Sequence, residues 1–487
     1  MKKTIAIVLL SLLPALSVRA QQIASTRLTS LGGLATSVST DVDAIGTNPA
    51  NLLSLSRGSV VLEIAPLTVN AGTDFLSLNL YNTYFTGSGQ YDSTGKQIGR
   101  YLTESDKQGI LAAFPGGVGD IMTDVNIRDF GLSVRALDFG IGLSMDEHIG
   151  ARATVPNSFA LFVLNGNPPG TSFSWNNISS TTWWYRSYNA DFAMRLPHIL
   201  VIPKDIARDF EAGIGVKYVT GIGYASAGTV NSSLTTDSTD YAFHVSMGLD
   251  ANRAGFLSNM ISKGTKSAVG DTNVNFNPFT PAGSGFGFDL GGTAKVLDFI
   301  KVGYSVTDIG WISWTKNAIR TSGDTSFTFT GFSPARADVP NATSNVDSLN
   351  NAFKDFFKNR DTVSSGFTTP LPTRFNLGAS IELDDLVPEI PGHLLVGIDY
   401  HQGFNNSLGN STTPEFILGA EWKPIGFFPI RTGLGFGGAY GFRWALGFGF
   451  NFPFWDIDLG VGTFNAVADP AAAKNVSVSL SIFKFRF

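Results

Sequence analysis

From Tyr440 to Phe452 the chain carries a large apolar side chain at every second position. Tyr440, Phe442, Trp444, Leu446, Phe448, Phe450 and Phe452 alternate with Gly441, Arg443, Ala445, Gly447, Gly449 and Asn451. A strict period of two predicts a β-strand with one wholly apolar face. At about 3.3 Å per residue it would run about 43 Å, well beyond the ~17–20 Å of a usual globular strand. Glycines and short polar residues cannot cover seven such side chains. The pattern therefore predicts an apolar solvent outside that face, as in the wall of a transmembrane antiparallel β-barrel. The same alternation recurs at 375–383, 394–400, 416–422, 430–436, 455–461 and 475–487. Weaker versions predict strands near 59–68, 75–84, 127–136, 138–147, 186–196, 209–222, 240–250, 285–294 and 300–309. The expected fold is all-β, a barrel of about 14 strands with 16 also compatible, since an even number is the rule.

Short turns should gather at one end of such a barrel and long loops at the other. With the C-terminus in the periplasm, the turn at Pro453 and the links 423–427 and 384–392 face that compartment. Long loops are expected at about 85–126, 251–284 and 311–370, within a barrel spanning 59–487. The links 149–185 and 223–239 break the alternation of sides. In the last strand Val476, Val478, Leu480 and Ile482 share one parity, whereas Phe483, Phe485 and Phe487 share the other, which a β-bulge near Ile482 or an apolar patch in the lumen would explain. The three terminal phenylalanines resemble the signal that the barrel assembly machinery of bacterial outer membranes reads.

Lys2 and Lys3 precede an apolar stretch from Ile5 to Leu16, and Val18-Arg19-Ala20 supplies residues of the kind a signal peptidase reads. Residues 1–20 thus read as a secretory signal peptide, too short for a membrane helix. No other run approaches ~20 apolar residues, so a membrane location requires a closed barrel. Charged residues are 15% of the chain, below the ~25% of ordinary soluble domains. With no cysteine, disulfides, thiol catalysis, zinc–thiolate sites and an acylated N-terminal cysteine are excluded. A net charge of −5 gives no basis for nucleic-acid binding.

Residues 21–58 precede the barrel and carry the most specific motif. Gly32-Gly33, then Asp41-Val42-Asp43-Ala44-Ile45, then Asn48-Pro49-Ala50 and Leu52 resemble the long-chain fatty-acid transporter family and its relatives among type IX secretion outer-membrane proteins. Asn51 stands where those families usually carry glycine. A second echo is Gly287-Phe288-Asp289-Leu290-Gly291 with Val302–Gly310. The resemblance implies a barrel, often of fourteen strands, whose N-terminal segment folds inside as a hatch. In the transporter branch hydrophobic solutes pass the hatch and leave through the wall. Passive uptake of a hydrophobic small molecule is the leading expectation, a non-transporting surface or secretion scaffold the rival, and an outer-membrane hydrolase a distant third. The expected state is a monomer.

No catalytic motif appears, and the protein is not expected to be an enzyme or to carry a cofactor. His393 and His401 flank one expected strand, about 26 Å apart by strand rise, and cannot share a metal. His148, His198 and His244 show no ligand spacing either, and His244 is expected in the lumen. Gly433–Gly438 contains GxGxxG, but a strand rather than a helix follows, so no dinucleotide site is implied. Arg374, Glu382, Glu421, Arg443, Asp456 and Asp458 lie opposite apolar faces and are candidate lumen residues. Short helices are expected at 103–114 and 351–358, and Trp183-Trp184-Tyr185 as an interfacial aromatic girdle.

Overall fold

Alternating side chains commit most of the chain to long antiparallel strands, and their pairing closes on itself. The computed structural model describes residues 24–54, 59–197, 207–258, 277–297, 299–329, 361–438 and 441–487. The signal-peptide segment 1–20, His198, residues 55–58 and the amphipathic turn at 351–358 lie outside them. The wall is a closed barrel of 14 antiparallel strands. In chain order they are β1 (Val60–Ile64 continued by Leu67–Thr73), β2 (Val118–Ala136), β3 (Phe139–Pro156), β4 (Ser179–Arg195), β5 (Ala207–Thr236), β6 (Gly283–Val296) and β7 (Ile300–Trp314). There follow β8 (Phe367–Pro370 continued by Arg374–Glu382), β9 (His393–Gly403), β10 (Glu415–Ile425), β11 (Phe428–Gly437), β12 (Arg443–Asn451), β13 (Trp455–Val461) and β14 (Asn475–Arg486). β1 pairs with both β2 and β14, which joins the ends of the sheet and leaves no open edge in the wall. No described helix is long and apolar enough to cross a membrane.

The outward face repeats the apolar parity of each strand. Phe192, Ile214, Phe288, Leu377, Leu418 and Phe448 are all exposed there, while their sequence neighbours face the lumen, all but the half-buried Gly213 buried. In β14 the outward parity passes from Leu480 to Phe483. Asp456 pairs with Lys484 but Asp458 with Ser481, so a bulge at 482–483 shifts the register by one residue.

Several elements differ from their sequence-based expectation. The strand expected at 440–452 is shorter: β12 begins at Arg443, because positive φ at Gly437, Gly438 and Gly441 makes a turn beforehand. Residues 75–84 are not a strand. Ser77 caps a helix, α2 (Leu78–Tyr84), by accepting from the Leu80 amide at 3.1 Å. A second loop helix, α3 (Glu104–Ala112), carries a Thr103–Asp106 capping box. The expected loops at 85–126 and 311–370 are shorter because Val118–Asn126 belongs to β2, and 311–314 and 367–370 belong to β7 and β8. The link at 149–185 is shortened from both ends, because 149–156 belongs to β3 and 179–185 to β4, with α4 (Asn157–Asn165) at the long-loop end. The 240–250 strand lies outside the barrel wall. Phe243–Gly255 pairs with the far half of β5 and with Ile319–Phe329, forming an outer sheet above the barrel. His244 is exposed on that sheet, 3.1 Å from the Thr328 hydroxyl, rather than in the lumen. Trp183 and Tyr185 are buried inside with Tyr224, Ile312 and Trp314, so they form no girdle; they share the inward parity of Ser187, Asn189 and Asp191 on β4.

Candidate functional site in the lumen

The N-terminal segment crosses the lumen as a short helix, α1 (Thr26–Ser30), and two 3₁₀ turns, Asp41–Ala44 and Pro49–Leu53. Ser25 caps α1 by accepting from the Leu28 amide at 3.3 Å. Asn48 caps the last turn, accepting from the Ala50 amide at 3.2 Å with Pro49 at its first position. Gly32 and Gly33 have φ of 72° and 96°, which a non-glycine residue rarely adopts and which turns the chain off α1. Leu28, Leu31 and Leu34 pack with Ile417, and Ile45 and Leu52 with Ala193.

Toward β9–β14 the segment is held by charge. The Arg27 guanidinium donates to both Glu421 oxygens, at 2.9 and 3.1 Å. Glu421 also accepts from Arg431 at 2.6 Å, and Arg431 reaches Asp458 at 2.6 Å. Asp43 meets Lys484 at 3.0 Å, and Arg486 bridges Asp41 (2.8 Å) and Asp456 (2.6 Å). Arg443 donates to the Gly32 carbonyl at 2.7 Å and pairs with Glu415 at 2.6 Å. One Asp399 oxygen accepts from the amides of Ala35 and Thr36 at 2.7 and 2.8 Å. Burial alone would raise the Asp43 carboxyl, but the Lys484 ammonium and the Arg27 guanidinium outweigh it and hold it below its ordinary value.

Toward β2–β7 glycines let the segment lie close against the wall, and side chains add hydrogen bonds to it. A Cβ on Gly213 would lie 2.4 Å from the Ala50 amide nitrogen, and one on Gly291 would lie 2.0 Å from Asn48 Oδ1. Asn48 donates to the Thr36 carbonyl at 2.8 Å. Asn51 donates to that carbonyl at 2.9 Å and accepts from Lys301 at 2.6 Å. Leu52 sits against Gly140. Arg128 donates to the carbonyls of Val42 (2.5 Å) and Ile45 (3.2 Å) and pairs with Asp146 at 2.7 Å.

Five of the six lumen candidates lie inside and Glu382 at the rim, in different settings. Glu421, Arg443, Asp456 and Asp458 belong to the charged seat. Arg374 lines a cavity of about 50 Å³ on the long-loop side of the segment. Glu382 lies at the short-turn mouth, on a cavity of about 970 Å³ rich in both signs of charge. Phe483 and Phe487 are exposed on the outside and Phe485 is half-buried. Arg27, Arg128, Asp399, Arg431, Lys301 and Lys484 are equally central but absent from the sequence-based set. Those on strands share the inward, glycine-bearing parity, a signal that could have found them. No group of three or more His, Asp or Glu side chains among the described residues is arranged to hold a metal ion.

Above the barrel, α2, α3 and α4 enclose an apolar groove of about 380 Å³ lined by Leu80, Ile110, Phe114, Phe159 and Val163, among others. No charged or amide side chain lines it. Phe75 and Phe114 stack with centroids 4.4 Å apart at its base.

Among solved structures the chain is similar to the toluene transporter TbuX of Ralstonia pickettii, with 12% identity, 95% of this chain and 98% of that chain covered, and a TM-score of 0.45. It is also similar to the toluene transporter TodX of Pseudomonas putida (11%, 95% and 98%, 0.44) and to a FadL homologue of Pseudomonas aeruginosa (12%, 96% and 97%, 0.39). No curated protein matches the chain. The model of a family of unknown function, DUF5723, matches residues 67–462, and the chain belongs to that family.

Proposed function

We propose that this protein is a monomeric outer-membrane barrel for passive uptake of hydrophobic small molecules, with residues 21–58 as its hatch. The apolar outer belt supports placement in a bilayer, long loops outward and the C-terminus in the periplasm. Phe483, Phe485 and Phe487 would then serve the barrel assembly machinery. The observation that carries the functional reading is the groove at the long-loop end. A concave site without charged or amide side chains recovers free energy only from an apolar guest. Below it the lumen is filled by the N-terminal segment, so passage requires that segment to move.

The rival reading, a closed scaffold, draws support from the filled lumen and the small cavity above the segment. Uptake separates the two. Cells carrying Ile110→Asp or Leu80→Asp should accumulate a panel of radiolabelled hydrocarbons and fatty acids several-fold more slowly than wild type at equal surface expression. Equal rates for every solute in wild type, variant and deletion strain would defeat the transport reading.

A further inference from the structure

Three side chains on adjacent strands meet across the inward face of the wall, on the long-loop side of the N-terminal segment. Asn126 on β2 stands directly opposite His148 on β3, and Ser187 on β4 lies diagonal to it, two residues along from Tyr185, which faces His148. Asn126 Nδ2 is committed to Asp124 at 2.7 Å, so its Oδ1 is the atom 3.0 Å from His148 Nδ1. An amide oxygen only accepts, which places the imidazole proton on Nδ1 and leaves Nε2 bare. Nε2 faces Ser187 Oγ at 3.4 Å, a contact of the kind that is long before substrate binds. The Tyr185 ring stacks on the imidazole, centroids 4.6 Å apart, and holds its plane. Ser187, His148 and Arg374 all line the cavity of about 50 Å³. The carboxylates on that lining have cations of their own: Asp43 has Lys484, Asp146 has Arg128 and Asp308 has Lys217. The Arg374 guanidinium forms no hydrogen bond or ion pair among the described residues, and its Nε is buried without an acceptor. It is a charge held ready for a partner the resting protein does not supply.

We infer that the barrel has a hydrolytic activity, separate from any solute it carries, in which Ser187 and His148 cleave esters of short acyl groups. A hydroxyl, a bare imidazole nitrogen facing it, an amide orienting the imidazole and a free guanidinium on one cavity supply nucleophile, base, orienter and oxyanion donor. Ser187 Oγ attacks the ester carbonyl carbon while its proton passes to His148 Nε2, and Arg374 receives the charge that develops on the carbonyl oxygen. The bond to the alcohol oxygen breaks, and the alcohol leaves with the proton from Nε2. Water then gives a proton to Nε2 and attacks acyl-Ser187; the acyl–Oγ bond breaks, the proton returns to Oγ, and the carboxylic acid departs. The cavity has room for about three or four water-sized groups, which admits an acetyl-sized acyl group. The alcohol part would extend past Pro372 and Asn410 on the lining.

The test uses the full mature chain folded in octyl glucoside, a detergent without an ester, with p-nitrophenyl acetate as the probe. Wild type should turn the ester over repeatedly, and acid quenching during turnover should trap an acetyl group on the peptide that holds Ser187, read by mass spectrometry. Ser187→Ala removes one oxygen and should melt with wild type, yet lose both the turnover and the trapped acetyl group. His148→Gln and Arg374→Met should each lower kcat by about 10²–10³-fold. Asn126 is a positioning residue, so Asn126→Ala should lower kcat by about tenfold or more with KM unchanged. No turnover by wild type above the rate in buffer, turnover unchanged in Ser187→Ala, or acetyl groups trapped only on other residues would each overturn the assignment.

Discussion

The two halves of the barrel hold the same N-terminal segment by different means. On the β9–β14 side, charged side chains reach in from strands of 7–12 residues, and each ion pair is buried. On the β3–β7 side, strands of 14–30 residues run past the belt into the outer sheet and loop helices, and glycines let the segment's backbone rest on the wall. Buried ion pairs demand that both partners stay, whereas backbone packing demands only that nothing intrude. Release of the segment should therefore begin on the charged side and pivot on the glycine side.

The largest expected effect comes from the charged side. Glu421→Ala strands Arg27 and Arg431 in the lumen and should cost about 3–5 kcal/mol in urea unfolding of the purified barrel. A loss below 1 kcal/mol would mean water already reaches this cluster. On the outside of the same half, Phe448→Arg should cost about 2–4 kcal/mol and deplete folded protein from the outer membrane. Normal insertion would show that this face does not meet lipid. Gly213→Ala pushes a methyl into the Pro49–Ala50 backbone and should cost about 1–3 kcal/mol, less than the Glu421 change. If it costs more, the pivot is misassigned.

The smallest effect is that of pH. The Asp43 carboxyl titrates lower in the folded protein than its ordinary value, so its contribution is complete above about pH 4 and is lost only as pH falls further. Protease sensitivity of the N-terminal segment should stay flat from neutral pH to about pH 5 and rise only in stronger acid. A rise near pH 6 would point to a histidine instead.

The outward face was legible because lipid and lumen impose opposite demands on adjacent residues, as Phe416 through Trp422 and Phe448 through Phe452 display. Where strands leave the belt that contrast fades. Trp183, Trp184 and Tyr185 put aromatic rings on both parities, so alternation alone does not show that Trp183 and Tyr185 pack inward. The alternation of Leu78 and Leu80 is equally compatible with a Ser77-capped helix. Of the lumen, the acidic and basic candidates could be read by parity, but their partners could not, because the segment's path decides which of them meet. Glycine parity was visible along β6 and β11. That Gly291 and Gly433 seat Asn48 and Leu31 follows only from the folded arrangement.

The central claim is that solutes pass only when the segment moves, and a lock on it tests this most directly. Thr26 and Ser479 oppose each other with hydroxyl oxygens 2.8 Å apart, and the chain has no native cysteine to compete. Thr26→Cys with Ser479→Cys should oxidise to a disulfide tying α1 to β14. In whole cells the oxidised form should lose uptake of the hydrophobic solutes that wild type accumulates, and reduction should restore it. Equal uptake by the oxidised and reduced forms would contradict the account.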